Sequence, residues 1–214
     1  MKKTIDFTRF YIISAVVAAA VCVAGAVMFL LFGGGAYAHF TAANFNPVIL
    51  VKTAVSAVLV FAFVFAYLAI RFKKNGLKAA LMSTIGAAVS ALCAVALCVI
   101  CRAPLGNYTF AVALEGVCIS FITSCVYLNS KTEVVTRKKK SVSTESYNDI
   151  ANKAFGPLFL MLVIVALSLI AAFAAFAVFG VQPLMLYVLA ALLTAVVAVF
   201  FTLAFTCRIY ADKA

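Results

Sequence analysis

The chain has 214 residues, of which 67% are hydrophobic and 11% are charged, and its formal net charge is +11. A mean hydropathy of +1.21 with so few charged residues excludes a soluble globular domain. Nearly all of the positive charges lie before, between or after the apolar segments, where the topology of a membrane protein requires them, so we expect no nucleic-acid partner.

Six long apolar runs follow one another along the chain. Each is near or above the ~20 residues that a helix rising ~1.5 Å per residue needs to cross ~30 Å of hydrocarbon. The runs cover residues 10–32, 48–70, 79–101, 105–128, 155–179 and 181–207. The sequence therefore predicts an all-α integral membrane protein in which one domain, 1–214, contains six transmembrane helices and a basic loop at 129–153.

The basic residues predict the orientation of these helices. Fifteen of the seventeen Lys and Arg residues lie before the first run, between the second and third, between the fourth and fifth, or after the sixth. Only Lys52 and Arg102 lie at the other surface. Because cytoplasmic loops carry an excess of Lys and Arg, we expect both termini and both basic loops in the cytoplasm.

The four prolines lie near the ends of the runs. Pro47 opens the second, Pro104 lies in the turn between the third and fourth, and Pro183 follows Gly180 in the hairpin before the sixth. Pro157 is predicted in the first turn of the fifth helix, where proline is tolerated because its missing N–H has no partner there.

Two cysteines, Cys98 and Cys101, form a CxxC near the outer end of the third run. A redox CxxC belongs beside a βαβ pattern, which this chain lacks. A disulfide at the outer surface and two thiols used in helix packing are the alternatives, and we favour packing because cysteine in an apolar span behaves as a small hydrophobe.

Glu115 is the one acidic residue predicted inside the membrane. Counting from Gly106 at ~1.5 Å per residue, it lies roughly 13 Å into the membrane, near the midplane, where a charge costs on the order of 3 kcal/mol. The carboxyl group either binds a proton or cation as part of a function, or stays neutral and makes one interhelical hydrogen bond. No second acid or histidine is predicted in the membrane to extend a relay.

The third and fourth runs carry small residues at helical spacing. Gly86 and Ser90 lie on one face of the third, and Gly116 and Ser120 on one face of the fourth. Small residues let transmembrane backbones approach closely, and serine hydroxyls bond across the contact. The pattern predicts that helices three and four pack together along these stripes.

The sequence contains no nucleophile–base pair, phosphate-binding loop or metal-ligand cluster. Its single histidine, His39, lies in the predicted outer loop at 33–46 without Cys, Asp or Glu beside it. We therefore expect neither an enzyme nor a cofactor or metal site.

Four segments together resemble SecF, the six-helix subunit that works with SecD beside the bacterial protein-export channel. Ile5-Asp6-Phe7 is similar to the start of SecF, and Ala66-Tyr67-Leu68-Ala69-Ile70-Arg71-Phe72 to the end of its second helix. Leu105-Gly106-Asn107-Tyr108-Thr109 is similar to the start of its fourth helix, and Asn148-Asp149-Ile150-Ala151-Asn152-Lys153 to the approach to its fifth. The order and spacing of the four segments are compatible with the family over most of the chain.

The chain also departs from that family. SecF has a folded extracytoplasmic domain where this chain has only 33–46. Counting along the third helix places Gly86 and Ala87 where the family carries a His-Asp pair. Counting from Asn107 places Thr123 and Ser124 at its Asn-Asp pair, and of the Phe-Asp-Arg that follows only a basic residue remains, as Lys131.

The resemblance implies an accessory subunit of the Sec machinery in the bacterial inner membrane. It would act in protein translocation through helix contacts with a SecD-like partner and the export channel, surrounded by membrane lipids, and without the usual proton relay. Two alternatives remain open: a small-solute or ion transporter that uses Glu115, and a structural membrane assembly factor.

Overall fold

The computed structural model describes residues 6–32, 47–72, 76–138 and 144–211. They form six α-helices: α1 (Phe7–Phe32), α2 (Pro47–Arg71), α3 (Gly76–Ile100), α4 (Asn107–Lys138), α5 (Thr144–Val178) and α6 (Gln182–Ala211). All six are long and apolar enough to cross a membrane, and these ranges contain no β-strand. The predicted all-α fold with six membrane helices is confirmed, while the side on which the ends lie stays a prediction.

Two helices extend beyond the predicted ends. Helix α4 continues to Lys138 and α5 begins at Thr144, so most of the predicted loop at 129–153 is helical. Pro157 consequently lies inside α5, and its predicted place in the first turn is wrong. Hydropathy marks only the part of a helix that lies in hydrocarbon, whereas Lys, Arg and Glu are good helix formers that extend a helix into water. The predicted outer loop with His39 lies outside the described residues.

Side chains and backbone groups near two helix starts satisfy amide donors that have no partner inside the helix. Asp6 precedes α1, and its Oδ1 accepts a hydrogen bond of 3.4 Å from the backbone N–H of Arg9. Before α4, the N–H of Gly106 donates to Oγ1 of Thr109 at 3.1 Å, while the N–H of Thr109 donates to the Gly106 carbonyl at 3.0 Å. This reciprocal pair resembles a capping box in which the backbone carbonyl of Gly106 takes the place of the N-cap side chain.

Two helices end in the same left-handed turn. After α5, Gly180 has φ 71°, and the N–H of Val181 donates to the Phe176 carbonyl at 2.9 Å. After α3, Arg102 has φ 58°, and the N–H of Ala103 donates to the Cys98 carbonyl at 2.9 Å. Both are Schellman-type ends, and only the first has the glycine that a positive φ favours.

Helices α3, α4 and α6 form the centre of the bundle, and α1, α2 and α5 lie around it. In the most apolar stretch of α3, 56% of the residues are buried, against 0% in that of α2. The outward faces of the peripheral helices carry exposed apolar side chains such as Leu30, Phe63 and Leu167. In a bilayer, acyl chains or the helices of other proteins cover such faces.

The bundle has two distinct ends. At one end α1, α3 and α5 begin and α2, α4 and α6 finish; we call it the basic end because Arg71, Lys78, Lys131 and Arg208 lie there. A cluster of large buried side chains closes this end: Phe7, Leu68, Tyr127, Tyr147, Ile150 and Tyr210. At the opposite end a second cluster surrounds Tyr187, whose hydroxyl donates to the Pro104 carbonyl.

Candidate functional site

A chain of hydroxyl groups joins the three central helices. Thr202 on α6 donates through Oγ1 to Ser120 Oγ at 3.1 Å. The Oγ atoms of Ser120 on α4 and Ser90 on α3 are 2.6 Å apart, and Ser90 Oγ donates to the Gly86 carbonyl at 2.9 Å. Ser120 Oγ also lies 3.5 Å from the Gly86 carbonyl oxygen, so either serine can donate to the other. In both arrangements each hydroxyl donates its one proton, and the bonds that begin at Thr202 end at the Gly86 carbonyl.

This hydroxyl chain lies in the interior of the bundle. Ser90, Ser120 and Thr202 are each fully buried. Hydroxyl groups that bond to one another inside an apolar core remove the cost of leaving polar atoms unpaired in hydrocarbon. Because none of the three groups titrates near neutral pH, the chain links helices and does not by itself hold or release a charge.

Gly86 on α3 and Gly116 on α4 each contact α6. Gly86 also contacts α4, and Gly116 also contacts α3. A Cβ on Gly86 would lie 3.1 Å from both Cγ2 and Oγ1 of Thr202. A Cβ on Gly116 would lie 2.8 Å from Cγ2 of Thr194 and 3.3 Å from the Ser90 carbonyl oxygen. The stripes therefore belong to a three-helix contact, in which the threonines of α6 fill the space that each missing side chain leaves.

The positions matched to the SecF motifs lie around this hydroxyl chain. Gly86, Ala87, Thr123 and Ser124 are all buried. Thr123 donates through Oγ1 to the Ile119 carbonyl at 2.8 Å, within its own helix. The Ser124 hydroxyl makes no hydrogen bond to another described residue. These four positions therefore lie together in a core of small and hydroxyl-bearing residues. None of the four side chains titrates near neutral pH.

The remaining motif positions lie at the two ends of α4. Asn107 is its first residue, and the buried Oδ1 of its side chain accepts no hydrogen bond within the described ranges. Lys131 lies at the basic end, where its Nζ is 3.5 Å from the centre of the Tyr210 ring. Neither residue contacts the hydroxyl chain.

Glu115 lies apart from the hydroxyl chain. Its side chain is half-buried, and no hydrogen bond or ion pair joins it to another residue in the described part of the chain. The interhelical hydrogen bond that one sequence interpretation requires has no partner among the described side chains, and both interpretations of Glu115 stay predictions. Helical spacing puts Glu115 on the same face of α4 as Cys118 and Ile122, which line a groove between α4 and α2.

The groove between α2 and α4 has a volume of about 550 Å³ and is almost entirely apolar. Phe63 and Tyr67 line it from α2, and Ile122 and Asn129 from α4. The rings of Phe61 and Phe121 pack edge to face, with centroids 5.5 Å apart, where the two helices meet. Such a groove accommodates an acyl chain or an apolar side chain.

The two cysteines of the CxxC are both free thiols. Cys98 is buried, and Cys101 is half-buried just after the end of α3. Burial raises the pKa of the Cys101 thiol above its usual value, which lowers the fraction of reactive thiolate at neutral pH. The described residues also contain no group of three His, Cys, Asp or Glu side chains that could hold a metal ion.

Sequence reasoning missed the contribution of α6. Thr194, Thr202 and Thr206 are all buried, and the first two face the glycines of α4 and α3. Their spacing along α6, in steps of four and eight residues, puts them on one helical face and was the signal available in the sequence. Comparison of the chain with known protein families, characterised proteins and solved structures gives no match.

Proposed function

We propose that this chain is a SecF-like accessory subunit of a bacterial protein-export machinery. In this proposal it acts through lateral helix contacts with a SecD-like partner and the export channel. The observation that carries the proposal is that two of the SecF-like segments, far apart in the sequence, contact each other at the basic end.

The contact joins the start of α1 to the first part of α5. The side-chain amide of Asn148 donates to Oδ1 of Asp6 at 3.0 Å. Phe7 is fully buried, and its ring centroid lies 5.9 Å from that of Phe155. Leu68, from the SecF-like end of α2, is buried in the same cluster. Three segments that carry the resemblance therefore have a shared structural role, which supports treating them as one motif.

The composition of the core limits the mechanism. The positions at which the resemblance would put protonatable groups are Gly86, Ala87, Thr123 and Ser124, none of which carries a proton to exchange at neutral pH. A subunit of this kind would stabilise or position its partner and would not couple a proton gradient to export. The exposed apolar faces of α1, α2 and α5 provide the surface for such contacts.

Site-specific crosslinking in native membranes tests the partner. A photoreactive residue replaces Phe63 on α2, Leu167 on α5 or Leu92 on α3, each of which is exposed and apolar. We expect protein adducts from one or two of these faces only, containing a SecD-like or export-channel subunit. A chain surrounded by lipid on every face would give no protein adduct at any position, and that result would reject the partner.

A transporter that uses Glu115 is the second candidate. It is favoured by one observation: the Glu115 carboxyl group is half-buried in a membrane span and has no hydrogen-bond or ion-pair partner among the described residues. A carboxyl group in this setting can exchange a proton or cation with a bound solute. The groove beside it on the α2 side would give access from the lipid-facing surface.

Flux through the purified chain in proteoliposomes tests the second candidate. Glu115→Gln keeps the shape of the side chain and removes its charge, so a transporter of this kind would lose its pH-dependent flux. Asp149→Asn is the matched control, because Asp149 is an exposed acid at the basic end. Equal flux in the parent chain and Glu115→Gln would eliminate this candidate and leave the first untouched.

A further inference from the structure

The groove between α2 and α4 lies in one half of the membrane. Its lining comes from residues 60–67 of α2 and 118–129 of α4. The apolar spans of these helices are Pro47–Arg71 and Asn107–Lys131, and both finish at the basic end. The lining therefore begins near the middle of each span and stops a few residues before its end. The groove covers the half of the membrane next to the basic end.

The length of the groove matches the thickness of one lipid leaflet. Cys118 and Asn129, at its two ends, are ~16 Å apart along α4 at ~1.5 Å per residue. One half of a hydrocarbon core of ~30 Å is ~15 Å thick. A transmembrane helix of another protein crosses both halves, whereas an acyl chain of a lipid crosses only one. The length of the groove therefore favours an acyl chain as its occupant.

The groove is open toward the surrounding lipid and closed toward the bundle. Phe121 is only 3% exposed, and its ring packs edge to face against that of Phe61, with the centroids 5.5 Å apart. Phe63 on α2 is 74% exposed, and Ile122 on α4 is 47% exposed. Buried Phe121 thus forms the floor, and Phe63 and Ile122 form the two rims. A chain lying between the rims would supply the dispersion contacts that the walls of an empty groove lack.

The polar groups of the lining lie at one end of the groove. Asn129 is exposed and lies two residues before Lys131, where the apolar span of α4 stops. Tyr67 is 49% exposed and lies one turn before the end of the α2 span, at a depth that tyrosine favours. Nearer the midplane the lining consists of apolar side chains and the thiols of Cys118 and Cys125, and no charged side chain lines the groove within the described ranges. A phospholipid has the same order of polarity, with ester groups at the interface and an apolar chain toward the midplane.

We propose that the groove between α2 and α4 binds one acyl chain of a phospholipid from the leaflet at the basic end. The chain lies between Phe63 and Ile122, with its methyl end near Cys118. At the other end, the Tyr67 hydroxyl and the Asn129 amide can donate hydrogen bonds to the ester carbonyl oxygens. Such a lipid would also add contact area to α2, whose most apolar stretch is 0% buried. This site is independent of the function proposed above.

Native mass spectrometry of the full chain in an uncharged detergent tests the site. The probes are phosphatidylcholine with palmitoyl chains, phosphatidylcholine with octanoyl chains, and phosphatidylglycerol with palmitoyl chains. We expect the palmitoyl lipids to bind about tenfold more tightly than the octanoyl lipid, because an octanoyl chain leaves the part of the groove near Cys118 unfilled. The headgroup should change the affinity less than the chain length does, because no described charged side chain lines the groove. Equal affinities for the two chain lengths would overturn the site, and so would a headgroup effect as large as that of chain length.

A substitution on the rim separates this groove from lipid bound elsewhere on the surface. Ile122→Trp places a larger side chain across the groove and should lower the affinity for the palmitoyl lipids about fivefold. Leu167→Trp is the matched control and should leave the affinity unchanged, because Leu167 is 62% exposed on α5 and does not line the groove. Both positions are exposed, so neither substitution disturbs the core. Equal affinities of the two variants would overturn the site.

The reactivity of cysteine thiols tests the site in the unsubstituted chain. Cys118 and Cys125 line the groove and are half-buried, whereas Cys101 is half-buried at the opposite end of the bundle. Addition of the palmitoyl lipid to the delipidated chain should slow the reaction of Cys118 and Cys125 with a small uncharged maleimide about fivefold and leave that of Cys101 unchanged. Unchanged rates at the two groove thiols would overturn the site. Protection that requires a higher protein concentration and no lipid would assign the groove to a second copy of the chain and would also overturn it.

Discussion

Substitution of Gly116 by alanine tests the three-helix contact most directly. The added Cβ would lie 2.8 Å from Cγ2 of Thr194 and 3.3 Å from the Ser90 carbonyl oxygen. Thr194 is fully buried and β-branched, so its side chain has few alternative rotamers. The substitution therefore forces α4 and α6 apart by a few tenths of an ångström or strains the Thr194 side chain.

Two opposing effects determine how much Gly116→Ala changes the free energy of unfolding. Overpacking of a well-packed core costs about 1–3 kcal/mol. Alanine is a better helix former than glycine by about 0.5–1 kcal/mol, which offsets part of that cost. We expect Gly116→Ala to lower the free energy of unfolding by about 1–2 kcal/mol. In a Thr194→Ser background the clashing methyl group is gone while the hydroxyl remains, so the same substitution should be nearly neutral there.

The assay uses the buried thiols. The chain has no Trp but has seven cysteines, of which Cys93, Cys98 and Cys207 are buried. A dye that fluoresces on reaction with thiols therefore reports unfolding in detergent as the temperature rises. The four chains of the double-mutant cycle are compared under the same conditions, and the coupling between the two positions gives the energy of the steric contact.

Gly156→Ala is the control for this cycle. Nothing lies within 4 Å of the position that its Cβ would occupy. Pro157 follows it and reduces the benefit of a Cβ in a helical residue, so we expect a change of less than about 0.5 kcal/mol. If Gly116→Ala costs the same in the parent chain and in the Thr194→Ser background, the contact with Thr194 is not the cause and the reasoning is refuted.

Three further substitutions test other parts of the fold in the same assay. Gly25→Ala should lower the free energy of unfolding by about 2–3 kcal/mol, because its Cβ would lie 2.8 Å from the Cα of Ala96, a backbone atom that cannot rotate away. An unchanged free energy of unfolding would contradict this close contact between α1 and α3. Arg102→Gly should stabilise the chain by about 0.5–1 kcal/mol because φ is 58° there, whereas Arg102→Ala, the control for lost charge, should not stabilise it. Ser120→Ala interrupts the hydroxyl chain and should lower the free energy of unfolding by about 1 kcal/mol. The control is Ser168→Ala, which should leave it almost unchanged because Ser168 is an exposed residue of α5.

The number of helices and their approximate positions could be predicted from the sequence, but their full lengths could not. Apolar runs report where hydrocarbon surrounds the chain, and all six runs correspond to helices. The extension of α4 to Lys138 and the start of α5 at Thr144 lie in polar sequence, where hydropathy carries no information about backbone conformation. The place of Pro157 within its helix was predicted wrongly for the same reason, because it was counted from the start of the apolar run at 155 and α5 begins at Thr144.

Residues of the candidate sites could be predicted only where the sequence pattern of a single helix, such as a stripe of small residues, marked them. Ser90 and Ser120 stood out because each lies in a stripe of small residues on its own helix. Their link to Thr202 depends on which face of α6 meets the other two helices, and no pattern within one helix determines that. The meeting of Lys131 with Tyr210 depends on how far each helix extends past the membrane, which requires the packed structure.

The order of the central helices along the chain has a consequence for biogenesis. Helices α3 and α4 are adjacent in sequence, but α6 enters the membrane only after α5 has crossed it. Until then Ser120 lacks the donor that Thr202 provides, and the faces of Gly86 and Gly116 are open to lipid. A nascent chain halted before α6 would therefore be an incomplete bundle, in which Ser90 and Ser120 bond to each other but the glycine faces of α3 and α4 are uncovered. Insertion of α6 supplies Thr194 and Thr202 and so completes the three-helix contact of the core.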